Sequence, residues 1–301
     1  MRDPGPGWAL AGAAIGLIAV SHAVVFIRLA EPADPILIAA VRMGVAALVV
    51  LPISLRLSLP EWRGADKAEL ALAALAGLLL AAHFAVWIAS LSLTSIVNST
   101  ALVTLNPVWI ALYGLFLGRM RPTRLAWASI ALAVGGAMLM GWGSARHDAG
   151  VSGDGAGRLT GDFLALLGGM LMAAYLVIGQ RVRARLTLFA YVGICYPAAA
   201  LALWLAVPAM GAWSAALPAG AWLAMLALGF VSQIIGHTAY NWTLKALSPG
   251  FIALCLLGEP VLGALFGMIY FAEYPGPWTW AGGVAILGGV ALGLRAERRP
   301  S

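Results

Sequence analysis

Residues 249–272 read PGFIALCLLGEPVLGALFGMIYFA. Twenty-four residues pass with a single charge, Glu259, and that charge is followed by Pro260. About 20 apolar residues suffice to cross the hydrocarbon layer as a helix, so this run predicts a membrane span with a carboxyl at its middle. A charge at that depth is costly and marks a cavity, a pathway or a protein interior. A proline there deletes a backbone hydrogen bond and bends the helix.

Working outward, nine further runs meet the same criterion: 8–29, 34–56, 68–91, 95–117, 124–142, 159–180, 186–209, 219–243 and 277–294. They are Ala- and Leu-rich without the alternation that a membrane barrel requires, so they predict helices. The composition agrees. Of 301 residues, 62% are hydrophobic and 10% charged, with a mean hydropathy of +0.93. A soluble domain carries about 25% charged residues and cannot hide so much apolar surface in one core. The expected fold class is an all-α polytopic membrane protein of ten transmembrane helices. A soluble enzyme, a disordered chain and a disulfide scaffold are excluded. Cys195 and Cys255 lie inside apolar runs and suggest neither a disulfide framework nor a metal site. The run after Arg2 and Asp3 is too long for a signal-peptide core, so it reads as a retained helix.

The chain repeats itself. Pro107 and Pro260, Pro122 and Pro275, Trp127 and Trp280, and Gly135-Gly136 and Gly288-Gly289 are all 153 residues apart, and His83 and His237 are 154 apart. The expected organisation is a five-helix repeat over 1–145, a Gly-, Asp- and Ser-rich connection over 146–158, and a second repeat over 159–301. Five is odd, so the second repeat enters the bilayer from the opposite side. Inverted repeats are typical of secondary transporters, whose substrate site lies near the midplane between the repeats.

Basic residues set the orientation. With the N-terminus inside, 14 of the 18 lysines and arginines fall on the cytoplasmic side: Arg2, Arg56, Arg63, Lys67, Arg119, Arg121, Arg124, Arg181, Arg183, Arg185, Lys245, Arg295, Arg298 and Arg299. Arg28, Arg146 and Arg158 fall outside, near Glu31, Asp34, Asp148, Asp154 and Glu273. The positive-inside bias predicts a cytoplasmic-membrane protein with both termini cytoplasmic. It also explains the net charge of +6 without nucleic acid, because the basic residues form no single patch.

Three segments carry a resemblance: Leu105–Arg121 (LNPVWIALYGLFLGRMR), Gly161–Arg181 (GDFLALLGGMLMAAYLVIGQR) and Leu256–Glu273 (LLGEPVLGALFGMIYFAE). Over essentially its full length the chain resembles the EamA-type drug/metabolite transporter superfamily. The resemblance implies an inverted five-plus-five repeat around a central cavity, and its members include exporters of amino acids, notably aromatic ones. Two positions depart from the common pattern: Val20-Ser21 stands where a Trp-Gly pair is usual, and Arg119 where span 4 often ends in glutamate.

The candidate cavity residues are few. Glu259 is a candidate for proton movement, and its repeat partner is Asn106. Pro107 and Pro260 are the expected helix bends, and the carbonyls of Val103 and Leu256 are expected to lose their donors there. His83 and Trp87 share a helical face, as do Gln233, His237, Tyr240 and Asn241. The symmetry puts the two histidines on opposite sides of the midplane. Asn98, Asn106, Trp109 and Tyr113 share another face, Tyr175 is flanked by small alanines, and Ser21 and His22 stand in the outer part of the first run. Each has a plainer reading as bundle packing or, for tryptophan, as an interfacial anchor. Arg42 lies about eight residues into its run. The favoured reading is that it snorkels to the surface near Asp34 and Glu31; the other is that it faces inward and binds a carboxylate.

The expected function is a secondary transporter of small metabolites, with export of aromatic or other neutral amino acids the best single choice. A membrane channel or a lipid scramblase is the alternative. An intramembrane enzyme is disfavoured by the lack of HExxH and GxSxG motifs, and the lack of a P-loop argues against direct drive by ATP. No cofactor or metal is expected. The partners are a small-molecule substrate and the bilayer, and nothing in the sequence demands more than a monomer. For the topology, cysteines at positions 150 and 183 are decisive. An impermeant reagent on intact cells is expected to label position 150 and leave 183 silent; the opposite pattern reverses the orientation.

Overall fold

The computed structural model describes residues 5–94, 96–116, 123–147, 155–214, 216–272 and 274–297. Arg2, Arg119, Arg121, Pro122, Asp148, Asp154, Glu273, Arg298, Arg299 and the middle of the 146–158 connection lie outside the described residues. Among the described residues ten helical spans are long and apolar enough to cross a membrane. Spans 1 to 5 are Gly7–Leu29, Pro35–Gly64, Lys67–Leu91, Asn98–Phe116 and Arg124–Gly143. Spans 6 to 10 are Ala156–Arg183, Leu188–Ala209, Ala219–Thr243, Pro249–Phe271 and Pro277–Ala296. Among the described residues there is no strand.

Local chemistry starts these helices where the sequence changes character. The Asp34 carboxylate accepts from Ile36 N at 2.8 Å ahead of Pro35, and Asp66 accepts from Ala68 N at 3.0 Å. Ser248 accepts from Phe251 N at 3.1 Å ahead of Pro249. Each side chain satisfies a donor that the first turn leaves open, and proline at the first position gives up no bond.

Span 2 runs on to Gly64, past Pro52 and Pro60 and eight residues beyond its expected end at 56. Its polar end is held by span 7. Glu61 accepts from Thr187 N at 2.7 Å and from its hydroxyl at 2.6 Å, and Trp62 Nε1 donates to the Ala190 carbonyl at 2.9 Å. Partners more than 120 residues away thus extend a helix that its own sequence would have ended.

The packing follows a pseudo-twofold. Span 2 lies on span 7, span 4 on span 9 and span 5 on span 10; span 3 on span 6 is answered by span 8 on span 1. Side chains repeat the relation. Gly136 faces Gly282 and Ile286, while Gly289, 153 residues later, faces Ser129 and Ala133. Gly77 abuts the Cys195 carbonyl of span 7, and Gly229 abuts the Arg42 carbonyl of span 2. The fold is all-α, built of two inverted five-helix repeats.

The glycine pairs divide their labour. A Cβ on Gly136 would lie 2.5 Å from the Gly282 carbonyl oxygen, one on Gly289 2.6 Å from the Ala133 Cβ, and one on Gly169 2.6 Å from the Val103 carbonyl oxygen. Their neighbours are roomier: Gly135 has nothing within 4 Å, and Gly288 meets only Leu132, at 3.4 Å. In these three pairs the second glycine is where the chains touch, whereas in Gly282-Gly283 it is the first, which lies against Gly136; small residues permit such close approach in a bilayer.

Span 8 departs from the twofold. Its middle, Leu228–His237, is wound as π helix, whereas span 3 is α-helical throughout. Gly77 and Gly229 are 152 residues apart but His83 and His237 are 154 apart, so the register slips by two residues across this stretch.

Arg183, expected in a cytoplasmic turn, is buried: its Nε donates to the Asn241 carbonyl at 3.0 Å and its Nη1 to the Leu186 carbonyl. Arg185, whose side chain is 71% exposed beside Glu69, is therefore the better labelling position on that turn. For the packing, Gly136→Val forces two backbones apart. Overpacking of this kind costs about 1–3 kcal/mol, so the melting temperature in detergent is expected to fall by roughly 3–10 °C. Gly135→Val is expected to melt like the parent. Equal melting of the two variants would contradict the contact.

Candidate functional site

Spans 4 and 9 are interrupted at their centres. Span 4 consists of Ile96–Val103 and Asn106–Phe116; span 9 consists of Pro249–Leu256 and Glu259–Phe271. In both, a proline occupies the second position of the second segment, Pro107 in one and Pro260 in the other. There its missing N–H costs nothing and its fixed φ suits a helix start. Backbone bonds tighten at the breaks: Leu105 N donates to the Leu102 carbonyl at 3.3 Å, and Gly258 N to the Cys255 carbonyl at 2.9 Å.

The two breaks are sealed differently. With its amide nitrogen turned toward the neighbouring carbonyls, Asn106 donates to Val103 O and to Gly169 O, both at 2.9 Å. The Val103 carbonyl, expected to face the cavity without a donor, is capped by the chain's own amide. Glu259 holds the corresponding place in span 9, where an ionised carboxylate has no proton to donate.

Between the breaks lies a small cavity of about 20 Å³. It is lined by Val20 and Ala23 of span 1, Arg42 of span 2, and His83, Phe84 and Trp87 of span 3. Val103, Thr104 and Asn106 of span 4, Met172 of span 6, His237 of span 8, and Leu256 and Glu259 of span 9 complete it. Both repeats contribute. Much of the space is narrow, with open room for about one water molecule.

Of the residues expected from sequence, five line this space: His83, Trp87, Asn106, His237 and Glu259. The two histidines flank Phe84, with ring centroids 4.9 and 5.3 Å away, and His83 stacks with Trp87 at 5.9 Å. His83 Nδ1 is 2.9 Å from the Gly168 carbonyl. Tyr175 and Gln233 are not in the lining and stand one layer behind it. The Tyr175 hydroxyl donates to Asn241 Oδ1 at 2.7 Å, and Gln233 holds Arg42. Trp109 and Tyr240 lie off the cavity, Tyr240 against Gly16 of span 1. Tyr113 donates to the Met170 carbonyl at 3.0 Å. Ser21 and His22 are turned onto their own helix, bonding the Leu17 and Ile18 carbonyls at 2.7 and 2.8 Å.

The main correction concerns Arg42. It does not snorkel. It is 1% exposed, its Nε donates to Gln233 Oε1 at 3.0 Å, and its guanidinium lies 3.7 Å over the Phe84 ring. Among the described residues Arg42 and Glu259 form no ion pair, although both line the cavity. Three buried polar atoms of lining side chains lack a hydrogen-bond partner: Arg42 Nη1, Trp87 Nε1 and His237 Nδ1. Sequence reasoning also passed over Phe84 and Met172, which look like ordinary core residues.

A second cavity, about 360 Å³, lies between spans 4, 5 and 6. It is lined by Asn98, Leu102, Leu105, Trp142, Arg158 and Asp162 among others. Leu102 and Leu105 sit beside Val103 and Thr104 of the central cavity, so the broken part of span 4 is the wall between the two spaces.

The difference between the breaks is measurable. Asn106→Ala leaves two carbonyls without a donor, a loss of about 1–3 kcal/mol. Thermal melting is expected to reveal it as a clear fall. Glu259→Gln, which removes no such cap, is expected to melt within about 2 °C of the parent, less than about 1 kcal/mol for a chain of this size. An Asn106→Ala protein as stable as the parent would contradict the capping role.

Comparison with known proteins agrees with this architecture. The EamA-like transporter family matches twice, over residues 7–142 and 159–295. The chain is 24% identical over 288 residues to an uncharacterized transporter of Archaeoglobus fulgidus, covering 93% of this chain and 94% of the relative. A protein known from its crystal structure shares the fold with a TM-score of 0.73 at 20% identity, covering 98% of this chain and 99% of that one. With nearly all of its length matched in two successive copies, the chain belongs to the EamA-like transporter family.

Proposed function

We propose that this chain is a secondary transporter that exports small metabolites across the cytoplasmic membrane by alternating access, with aromatic or other neutral amino acids its favoured cargo. The observation that carries this reading is the central cavity. It is lined from both inverted repeats and sits at the matched interruptions of spans 4 and 9. Alternating access needs a site near the midplane that two similar halves expose in turn. Interrupted helices supply the hinges, because a few residues at an element's end absorb the backbone change.

The repeats are assigned to residues 1–145 and 159–301, joined by 146–158. Both termini are assigned to the cytoplasm on the distribution of lysine and arginine. The second cavity then lies toward the outside, and opening of span 4 at Thr104–Leu105 would join it to the centre. The lining suits a small amphipathic solute: aromatic and aliphatic walls with few polar groups. Trp87, His83 and His237 form the aromatic wall, while Asn106 and Glu259 supply polarity.

Purified protein in liposomes checks this. Preloaded unlabelled amino acid is expected to stimulate uptake of the labelled compound, with saturation as its concentration rises. Flux that never saturates and shows no counterflow would indicate a channel, and lipid flip-flop without solute flux a scramblase. Trp87→Ala is expected to cut counterflow at least severalfold while folded protein is still recovered. Loss of folding in step with flux would mean that Trp87 only packs.

A further inference from the structure

The least explained group in the molecule is a cation. Arg42 is buried at the centre of a membrane protein, and a buried charge that is not neutralised is strongly unfavourable. The groups that touch the side chain are uncharged, and Glu259 stands in the same lining without forming an ion pair with it. Gln233 takes the Nε proton and Phe84 offers its ring face, while Nη1 has no acceptor. Trp87 Nε1 and His237 Nδ1, on other walls of the same cavity, lack partners as well. Arg42 Nη1 and Trp87 Nε1 are donors on one enclosure, and buried donors are ordinarily satisfied, so a ligand that brings acceptors would complete both. The guanidinium is aimed by Gln233 and Phe84 and is anchored through Nε, not through its fork. Arginine binds carboxylates through such planar, paired donors. The carboxylate of Glu259 stands in the same lining, not paired with Arg42.

We propose that Arg42 seats the carboxylate of a zwitterionic substrate, with Glu259 facing its ammonium group and Gln233 acting as a positioning residue that orients the guanidinium. The proposal rests on the reading of the cavity as the transport site. It deepens that reading: a substrate must present a negative and a positive group a few ångströms apart, and its side chain meets the His83–Phe84–Trp87 wall. A zwitterion leaves the cavity's total charge unchanged on binding, so neither Arg42 nor Glu259 is left facing a like charge.

The test uses full-length protein in liposomes and three matched probes: L-phenylalanine, phenethylamine, which lacks the carboxylate, and 3-phenylpropionate, which lacks the amine. L-Alanine and phenylmethanol serve as a small zwitterion and an uncharged aromatic. Wild type is expected to show saturable counterflow of a zwitterion, with the amine and the acid competing at least tenfold more weakly. Arg42→Gln is expected to raise KM for the zwitterion about tenfold or more, as loss of a charge-assisted bond does, with no loss of melting temperature. Arg42→Lys is expected to restore part of the affinity, because it keeps the charge and loses the fork. Gln233→Leu is expected to raise KM more than it lowers the maximal rate.

Two failures are separable. Saturable counterflow in which phenethylamine or phenylmethanol equals L-phenylalanine, or in which Arg42→Gln keeps the wild-type KM, overturns the Arg42 assignment and leaves the carrier standing. No saturable counterflow of any probe overturns the carrier reading and the assignment with it. Should Arg42→Gln fail to fold, the ranking of the wild-type probes still decides.

Discussion

A backbone in hydrocarbon has no water to hydrogen-bond, so every N–H and C=O must find a partner within the protein. The rest of this structure depends on that constraint. It makes the ten spans helical, and it makes any interruption expensive unless something else supplies the bonds. Spans 4 and 9 are interrupted nonetheless, and the interruptions are buried against each other and against spans 1 and 6. At one of them the Asn106 amide supplies the missing donors. Irregular backbone survives at this depth only within protein or along a cavity, so the breaks and the central cavity arise together.

Much of this was legible in the sequence because the bilayer leaves few options. Apolar run length gave the spans to within a few residues wherever polar residues began at the interface. It failed at the end of span 2, where Glu61 and Trp62 find partners on span 7 that no local pattern announces. Glu259 stood out as a lone charge in a 24-residue run. Arg42 was misread for a physical reason. Eight residues from a helix end is within a long side chain's reach of the surface, and only the tertiary fold brings Gln233, 191 residues later, to its Nε. The stripe Gln233, His237, Tyr240 and Asn241 assumed α-helical spacing. His237 lines the cavity, while Gln233, in the π-helical stretch, bonds Arg42 behind it, and Tyr240, in the α-helical turn Thr238–Thr243, lies against span 1.

The cavity also illustrates how a membrane protein retains charge at its centre. Stacking on an aromatic face offers a desolvated guanidinium about 2 kcal/mol, and one amide oxygen adds a further bond. Neither is a charge, and the opposing carboxyl, Glu259, stands in the same lining without closing an ion pair. The narrowness of the space matters equally. A pocket with room for about one water must widen to take a metabolite, and the side chains that would move, Phe84 and Met172 among them, are apolar and lose no hydrogen bond by moving.

The π-helical stretch of span 8 carries a further implication. In a carrier that alternates between two open forms, identical repeats would make those forms related by a twofold rotation and equal in energy. The wider turn at Leu228–His237 has no counterpart in span 3, and one break ends in an amide where the other ends in a carboxyl. Two such forms of this chain would bury different groups, and a difference of about 1.4 kcal/mol between them would be a tenfold bias. Under the alternating-access reading, halves that differ in this way would give the carrier a preferred resting side, because neither half can stand in for the other.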